Sequence, residues 1–141
     1  MDSGTELAGE LDRRMAGLTR LLRGRTAAGL SVTALSTLRR IAEGEACRIT
    51  ELAAAEAVAQ PSMTALVGRL ETRGLVRRES DPADRRAVRV AITDAGAEQL
   101  AAVRAARAAL LGARIDRLGE SSRSALVAVL PVLDSLLEDS P

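Results

Sequence analysis

Apolar residues recur at helical spacing near the start of the chain. Between Glu6 and about Arg23 they are separated by three or four positions, which places them on one face of an amphipathic helix. These residues are Leu7, Leu11, Met15, Leu18 and Leu22. The same periodicity predicts a second helix from about Thr33 to Ala42, which Gly44 ends as a C-terminal glycine.

Two helices joined by a short turn are predicted next. Thr50 is a favourable N-cap for a helix over residues 51–58. A further helix covers residues 61–73, because Pro61 suits the first turn of a helix and Gly74 suits its end. Two helices connected in this way form a helix-turn-helix.

The apolar period changes from helix to strand after Gly74. Residues 75–79 and 87–92 predict two β-strands, and the second alternates apolar with polar or small residues. Residues 80–86 between them (Ser-Asp-Pro-Ala-Asp-Arg-Arg) suit a polar turn. Residues 48–49 are expected to add a third strand. A hairpin after a helix-turn-helix is a wing.

The last third of the chain predicts two more helices. Thr93 caps the first, which runs from Asp94 to about Leu118. The second begins at Ser121 or Ser122 and ends near Leu137, and Pro131 should kink it or open one turn. The first of these spans about 35 Å, too long for a small domain to bury alone.

The pattern therefore predicts a mainly α fold with a small β wing (α+β), in which a winged helix-turn-helix is flanked by N- and C-terminal dimerisation helices. We expect one domain over residues 1–141. Its winged helix-turn-helix lobe is predicted at residues 31–92, and its helical dimerisation region at residues 5–24 and 94–138.

Composition argues against an enzyme. The 141 residues include no His, so neither a Ser-His-Asp nor a Cys-His pair can form, and no imidazole is available for zinc. No phosphate-binding glycine motif is present, and we expect no cofactor and no metal. The single cysteine, Cys47, excludes an intramolecular disulfide, and we interpret it as a small core residue instead of a redox switch.

The N-terminus lacks the apolar stretch of a signal peptide, and no apolar run is long enough for a membrane span. We therefore expect a cytoplasmic protein without a membrane partner.

Charge is distributed unevenly along the chain. The net charge is only +1, but residues 60–92 carry seven Arg against four acidic residues, whereas residues 93–141 carry five Arg against seven. A basic centre beside an acidic tail is typical of a chain that meets a polyanion through one region. All 20 basic residues are Arg, which suits phosphate and guanine recognition but also fits a coding bias.

Several segments, in this order and spacing, resemble the MarR family of winged-helix transcriptional regulators. The segments that carry the resemblance are residues 50–53, 61–64, 69–78, 81–86 and 92–96. The resemblance implies a homodimer that binds double-stranded DNA through the lobe at residues 31–92, at a pseudo-palindromic operator and usually as a repressor. It also implies that helix 61–73 enters the major groove and that wing 80–86 enters the minor groove.

Candidate DNA-binding residues follow for the recognition helix. Leu66 and Leu70 are spaced for the core, which leaves Ser62, Thr64 and Arg69 facing outward with Ala65 and Gly68. Polar side chains near the start of such a helix can bond phosphates or base edges. The helix therefore contributes Gln60, Ser62, Met63, Thr64 and Arg69 to the candidate site. An ordinary solvated face is the alternative interpretation.

In the wing, the resemblance implies that Arg86 enters the minor groove and that Asp84 steadies its guanidinium. Arg85 is expected to meet phosphate, as are one or two of Arg73, Arg77 and Arg78, with the others solvated or paired with acidic neighbours. A soluble turn is the alternative for the wing tip.

Two questions stay open at the level of sequence. Family members often bind small anionic or phenolic molecules, but this chain has no aromatic residue or His to contact one, so an effector is only a possible partner. A dimeric winged-helix adaptor that binds proteins without DNA is the alternative function.

Overall fold

The computed structural model describes residues 3–23, 29–44 and 48–138, which contain six helices and two strands. In chain order these are α1 (Gly4–Arg23), α2 (Val32–Glu43), α3 (Ile49–Ala55), α4 (Gln60–Thr72), β1 (Val76–Ser80), β2 (Val88–Ile92), α5 (Asp94–Ile115) and α6 (Glu120–Leu137). The mainly α class with a small β wing is confirmed.

The chain divides into two compact units, residues 1–106 and 107–141, and the division falls inside α5. The first unit holds α1 to α4, both strands and the start of α5. The second holds the end of α5 and all of α6. The assignment of 1–141 as a single domain stays a prediction, as do the bounds of its lobe and of its dimerisation region.

The core of the first unit is built around α4. Its buried side chains recur at intervals of three and four, so one helix face packs inward along its length. These side chains are Met63, Leu66, Val67 and Leu70. Leu38 of α2 and Leu52 of α3 are fully buried in the same cluster.

The two strands form an antiparallel hairpin in which Val76 pairs with Ile92 and Ser80 pairs with Val88. The predicted third strand is wrong. Arg48 is the N-cap of α3 and Ile49 is its first residue, because the Glu51 carboxylate accepts the backbone N–H of Arg48 at 3.1 Å and turns the chain into a helix.

The prediction for Cys47 falls outside the described residues. Thr50, predicted as the N-cap of α3, instead lies inside the helix.

The helix-turn-helix has different bounds from those predicted. Helix α3 ends at Ala55, and the turn includes Ala57 at φ +52°, a conformation that costs a non-glycine residue about 1–2 kcal/mol. Helix α4 covers Gln60–Thr72 and not 61–73, since Arg73 is its C-cap and Gly74 follows at φ +73°. Pro61 still lies in the first turn, where its missing N–H has no cost.

The terminal helices α1 and α6 bury none of their described residues. Helix α6 runs unbroken from Glu120 to Leu137, so of the two effects predicted for Pro131 the opening of a turn is wrong, and the kink stays a prediction. A proline removes the N–H that would bond the carbonyl of Val127. Val127 is 66% exposed, so water can take the place of that N–H.

Candidate nucleic-acid interface

One face of α4 is exposed and polar or small. Ser62, Thr64, Ala65 and Arg69 are exposed and Gly68 is partly exposed, as the spacing of Leu66 and Leu70 predicts. Gln60 begins the helix and is also exposed. Apart from Gly68, which has no side chain, these residues can contact a ligand that approaches from solvent without any change in the packing of the core.

Met63 is a correction to the predicted site. Its side chain is fully buried because it lies on the same helical stripe as Val67 and Leu70, so it cannot contact DNA directly. A methionine in this position fills the core beneath the exposed face.

The hydroxyl of Thr64 is already used as a donor. Its Oγ1 donates to the backbone carbonyl of Gln60 at 3.0 Å. In this rotamer Thr64 presents its methyl group and an acceptor lone pair, which suit a thymine methyl or a base amino group better than a phosphate.

The loop after β1, residues 81–87, is here called the wing loop, and short hydrogen bonds order it. The N–H of Asp81 donates to the carbonyl of Ala87 at 3.0 Å, and the N–H of Ala87 donates to the carbonyl of Asp84 at 2.9 Å. The two carboxylates also accept within the loop, Asp81 Oδ1 from the N–H of Ala83 at 2.9 Å and Asp84 Oδ1 from that of Arg86 at 3.0 Å.

The role predicted for Asp84 is therefore different in the structure. Asp84 holds the backbone of Arg86, and among the described residues no ion pair joins their side chains. Within the same part of the chain, the guanidinium groups of Arg85 and Arg86 have no carboxylate partner, and both residues are exposed. The wing loop thus presents two available cations on an ordered backbone.

The strands attach the wing to α4. Arg78 of β1 pairs with Glu71 of α4 at 3.4 Å, and Arg77 pairs with Glu79 at 3.4 Å and donates to the carbonyl of Ile92 at 3.0 Å. Pairing with an acidic neighbour is what was expected of those arginines that do not contact phosphate, and the phosphate contacts themselves stay a prediction. The Arg78–Glu71 contact links the first wing strand to α4, the helix that carries the exposed polar face.

Sequence analysis missed a further contact at the base of the wing. Arg48 donates from Nε and Nη2 to Oδ2 of Asp81, at 3.0 and 2.6 Å. The N–H of Ala83 and the guanidinium of Arg48 lower the pKa of the Asp81 carboxyl, and Asp81 raises the pKa of Arg48. The interval of 33 residues between the partners has no periodicity, so no local pattern could indicate the pair.

A second ion pair fixes the turn between α3 and α4. Glu56 Oε1 accepts from Ser36 Oγ at 2.6 Å and from Arg40 Nε at 2.7 Å. Its carboxylate is half-buried against α2, so this contact joins the turn to the core.

A cavity of about 190 Å³ lies between the start of α2 and α4. Ser31, Leu66, Arg69 and Arg73 contribute to its wall. Ligand sites for drug-sized molecules usually enclose about 300–1,000 Å³, so this cavity is small for an organic effector.

Two searches of the described residues bear on other kinds of site. No group of three or more His, Cys, Asp or Glu there could hold a metal ion. No helix in the same residues has the length and apolar character that crossing a membrane requires.

Known proteins share this sequence pattern and this arrangement of helices and wing. Residues 30–88 match the family model described as the MarR family. An HTH-type transcriptional regulator of Mycobacterium bovis is 34% identical over 100% of this chain and 99% of its own length. The chain belongs to the MarR family.

Solved structures agree with this assignment. A transcriptional regulator of Pseudomonas aeruginosa is 31% identical, with a TM-score of 0.82 over 99% of both chains. A variant of S. aureus MepR bound to an oligodeoxyribonucleotide shares the fold at 18% identity, with a TM-score of 0.69 over 93% of this chain and 98% of its own.

This MarR-family protein is thus a DNA-binding transcriptional regulator with a winged helix-turn-helix, and not an enzyme. The alternative of an adaptor that does not bind DNA is set aside.

Proposed function

We propose that this protein is a homodimeric repressor that binds a pseudo-palindromic operator. Helix α4 enters the major groove and the wing loop enters the adjacent minor groove. The observation that carries the proposal is that an exposed polar helix face and two wing arginines, which have no carboxylate partner among the described residues, belong to one compact unit, joined by the Arg78–Glu71 contact.

Direct base contacts are assigned to α4. Ser62, Thr64 and Arg69 project from its exposed face, with Gln60 at its first turn. Arg69 suits the two acceptors of guanine, and Thr64 suits the methyl of thymine.

Minor-groove contact is assigned to Arg86. The groove is too narrow for a helix but admits an extended guanidinium, particularly at A·T-rich steps where the potential is most negative. Asp84 supports this role because it holds the Arg86 backbone without occupying its guanidinium. Arg85 meets the flanking phosphate.

Phosphate contacts are assigned to Arg73 and Arg77 beside Arg85. If a dimer neutralises about eight phosphates, log K falls with log salt at a slope of roughly −7. Arg77 already contacts the Glu79 carboxylate and the Ile92 carbonyl. To bind a phosphate, its guanidinium must therefore exchange the Glu79 carboxylate for the phosphate.

Dimerisation is assigned to the terminal helices, over residues 5–24 and 94–138. The apolar side chains of α1 and α6 lie in solvent in the single chain, among them Leu7 at 59%, Leu130 at 52% and Leu136 at 63% exposed. Exposed apolar side chains along a helix are typical of a surface that a protein partner covers. A two-fold dimer covers both helices and sets two copies of α4 about one DNA turn apart, roughly 34–36 Å.

Repression follows from occupancy, because a dimer bound over two consecutive grooves excludes other proteins from that DNA. We place this activity in the cytoplasm, where the expected partner is the chromosome. An effector would need more room than the cavity beside Arg69 and Arg73 provides, or a site that the dimer creates.

Selection of bound sequences from a random duplex pool tests the proposal. We expect enrichment of a pseudo-palindrome with half-sites about 10 base pairs apart, flanked by A·T-rich steps. Enrichment of isolated half-sites would contradict the dimeric mode, and no enrichment would contradict sequence-specific binding.

A further inference from the structure

The contact between Arg48 and Asp81 joins the helix-turn-helix to the wing. Arg48 is the residue before α3, and Asp81 is the first residue of the wing loop. Both donors of the contact reach Oδ2, while Oδ1 accepts from the Ala83 N–H within the loop. One carboxylate therefore holds the loop together and attaches it to the neighbouring helix.

Asp81 is buried, unlike the residues that follow it in the wing loop. Asp81 is 7% exposed, whereas residues 82–86 are all exposed. A buried carboxylate requires a paired cation and hydrogen-bond donors, and here Arg48 supplies the cation with two donors while the N–H of Ala83 supplies a third. The side chain of Arg48 is 39% exposed, so it covers the carboxylate from the solvent side.

The wing needs such an attachment because a two-stranded hairpin is only marginally stable alone. The strand register ends at Ser80 and Val88, and beyond it a backbone hydrogen bond from the N–H of Asp81 to the Ala87 carbonyl joins the two sides of the wing at the position that Arg48 holds. The position of Arg86 relative to α4 therefore depends on the contact at Asp81.

We propose that Arg48 is a positioning residue for the wing: by holding Asp81 it sets where Arg86 enters the minor groove relative to α4 in the major groove. This inference rests on the proposed DNA-binding mode. Arg48 acts through Asp81 and Arg86. The preference for A·T base pairs beneath the wing therefore depends on a residue that lies outside the wing.

A double-mutant cycle tests the proposal with four dimeric proteins: wild type, Arg48→Gln, Arg86→Ala and the double variant. Each is titrated against an operator from the selection and against a copy with G·C steps under the wing. We expect Arg48→Gln to weaken operator binding about 3- to 10-fold when Arg86 is present, and less than about 2-fold when it is absent. We also expect it to reduce the preference for A·T under the wing while the preference within the α4 half-site is unchanged.

Three variants serve as controls. Arg39→Gln removes the same charge from an exposed position of α2 and should leave the A·T preference intact. Arg48→Lys can keep one hydrogen bond to Asp81 but not both, so it should restore part of the preference. If Arg48→Gln fails to fold, Asp81→Asn in the same cycle weakens the attachment from the other partner, because the amide oxygen can still accept but carries no charge.

The outcomes separate this inference from the proposed function. An equal loss of affinity with and without Arg86 would overturn the proposal, because Arg48 would then contact DNA itself. An unchanged A·T preference in Arg48→Gln would overturn it as well. If Arg86→Ala alone binds as wild type does, the minor-groove role of the wing is wrong, whatever Arg48 does.

Discussion

Gly96 in the first turn of α5 lies directly against the backbone of Leu75 at the end of the helix-turn-helix. A Cβ added to Gly96 would stand 2.1 Å from the carbonyl oxygen of Leu75 and 2.8 Å from Cγ1 of Ile92. Thr93 strengthens the same junction, since its Oγ1 donates to the Gly74 carbonyl at 2.5 Å and its N–H to that of Leu75 at 3.1 Å.

Gly96→Ala should therefore destabilise the protein by about 2–3 kcal/mol, because the obstacle is backbone and cannot rotate away. Urea unfolding followed by circular dichroism measures the change. Gly68→Ala is the matched control, since a Cβ there meets nothing within 4 Å in a helix interior, and it should stabilise by roughly 0.5–1 kcal/mol. Equal effects of the two substitutions would contradict the close approach at Gly96.

Thr37→Val should stabilise the protein by about 1 kcal/mol. Thr37 is fully buried, and among the described residues its hydroxyl has no hydrogen-bond partner, so valine removes an unsatisfied polar group at nearly the same shape. Thermal and urea unfolding test this. Thr93→Val is the contrasting control and should destabilise, because the Thr93 hydroxyl donates to Gly74 and accepts from the N–H of Gly96.

The lowered pKa of Asp81 predicts that the protein loses stability in acid. The N–H of Ala83 and then Arg48 lower its pKa in the folded state, so its contribution is present above the unfolded value of 3.8 and is lost as pH falls through the lower, folded-state pKa. Unfolding midpoints of wild type and Asp81→Asn should differ most above pH 5 and converge as the pH falls below about 3.8. A difference that stays constant down to pH 2 would show that the charge of Asp81 contributes nothing.

Arg86→Ala should weaken operator binding by about 1–3 kcal/mol, the range for one well-placed groove contact. Its guanidinium has no carboxylate partner in the described chain, so the substitution should leave the unfolding free energy nearly unchanged. Mobility-shift titration at fixed salt measures the affinity. Unchanged affinity would remove Arg86 from the interface.

Leu130→Asp should break the proposed dimer. Leu130 is half exposed in the single chain, so the substitution spares the monomer but buries a charge in the seam. A cost of about 3 kcal/mol or more raises the dissociation constant at least about 100-fold. Light scattering over a concentration series tests this, with Ser124→Asp adding the same charge at an exposed position of α6. A dimer that persists in Leu130→Asp would place the seam elsewhere.

Residue spacing alone predicted most elements of this protein. The intervals of three and four, the change to alternation after Gly74 and the Asp- and Pro-rich turn indicated the helices and the hairpin, because amphipathic periodicity is a local property. The outward position of Ser62, Thr64 and Arg69 followed from the same spacing. The start of α3 near Thr50 and the continuity of α6 through Pro131 were less predictable, since backbone contacts and solvent decide them.

Contacts across the fold decided the rest. Met63 is an exception, because it precedes Leu66 by three positions and Leu70 by seven, and this spacing already places it on the buried stripe of α4. The pairing of Arg48 with Asp81 and the approach of Gly96 to Leu75 join segments 33 and 21 residues apart. Periodicity determines which face of an element turns inward, whereas only the packed chain determines which distant residue meets it there.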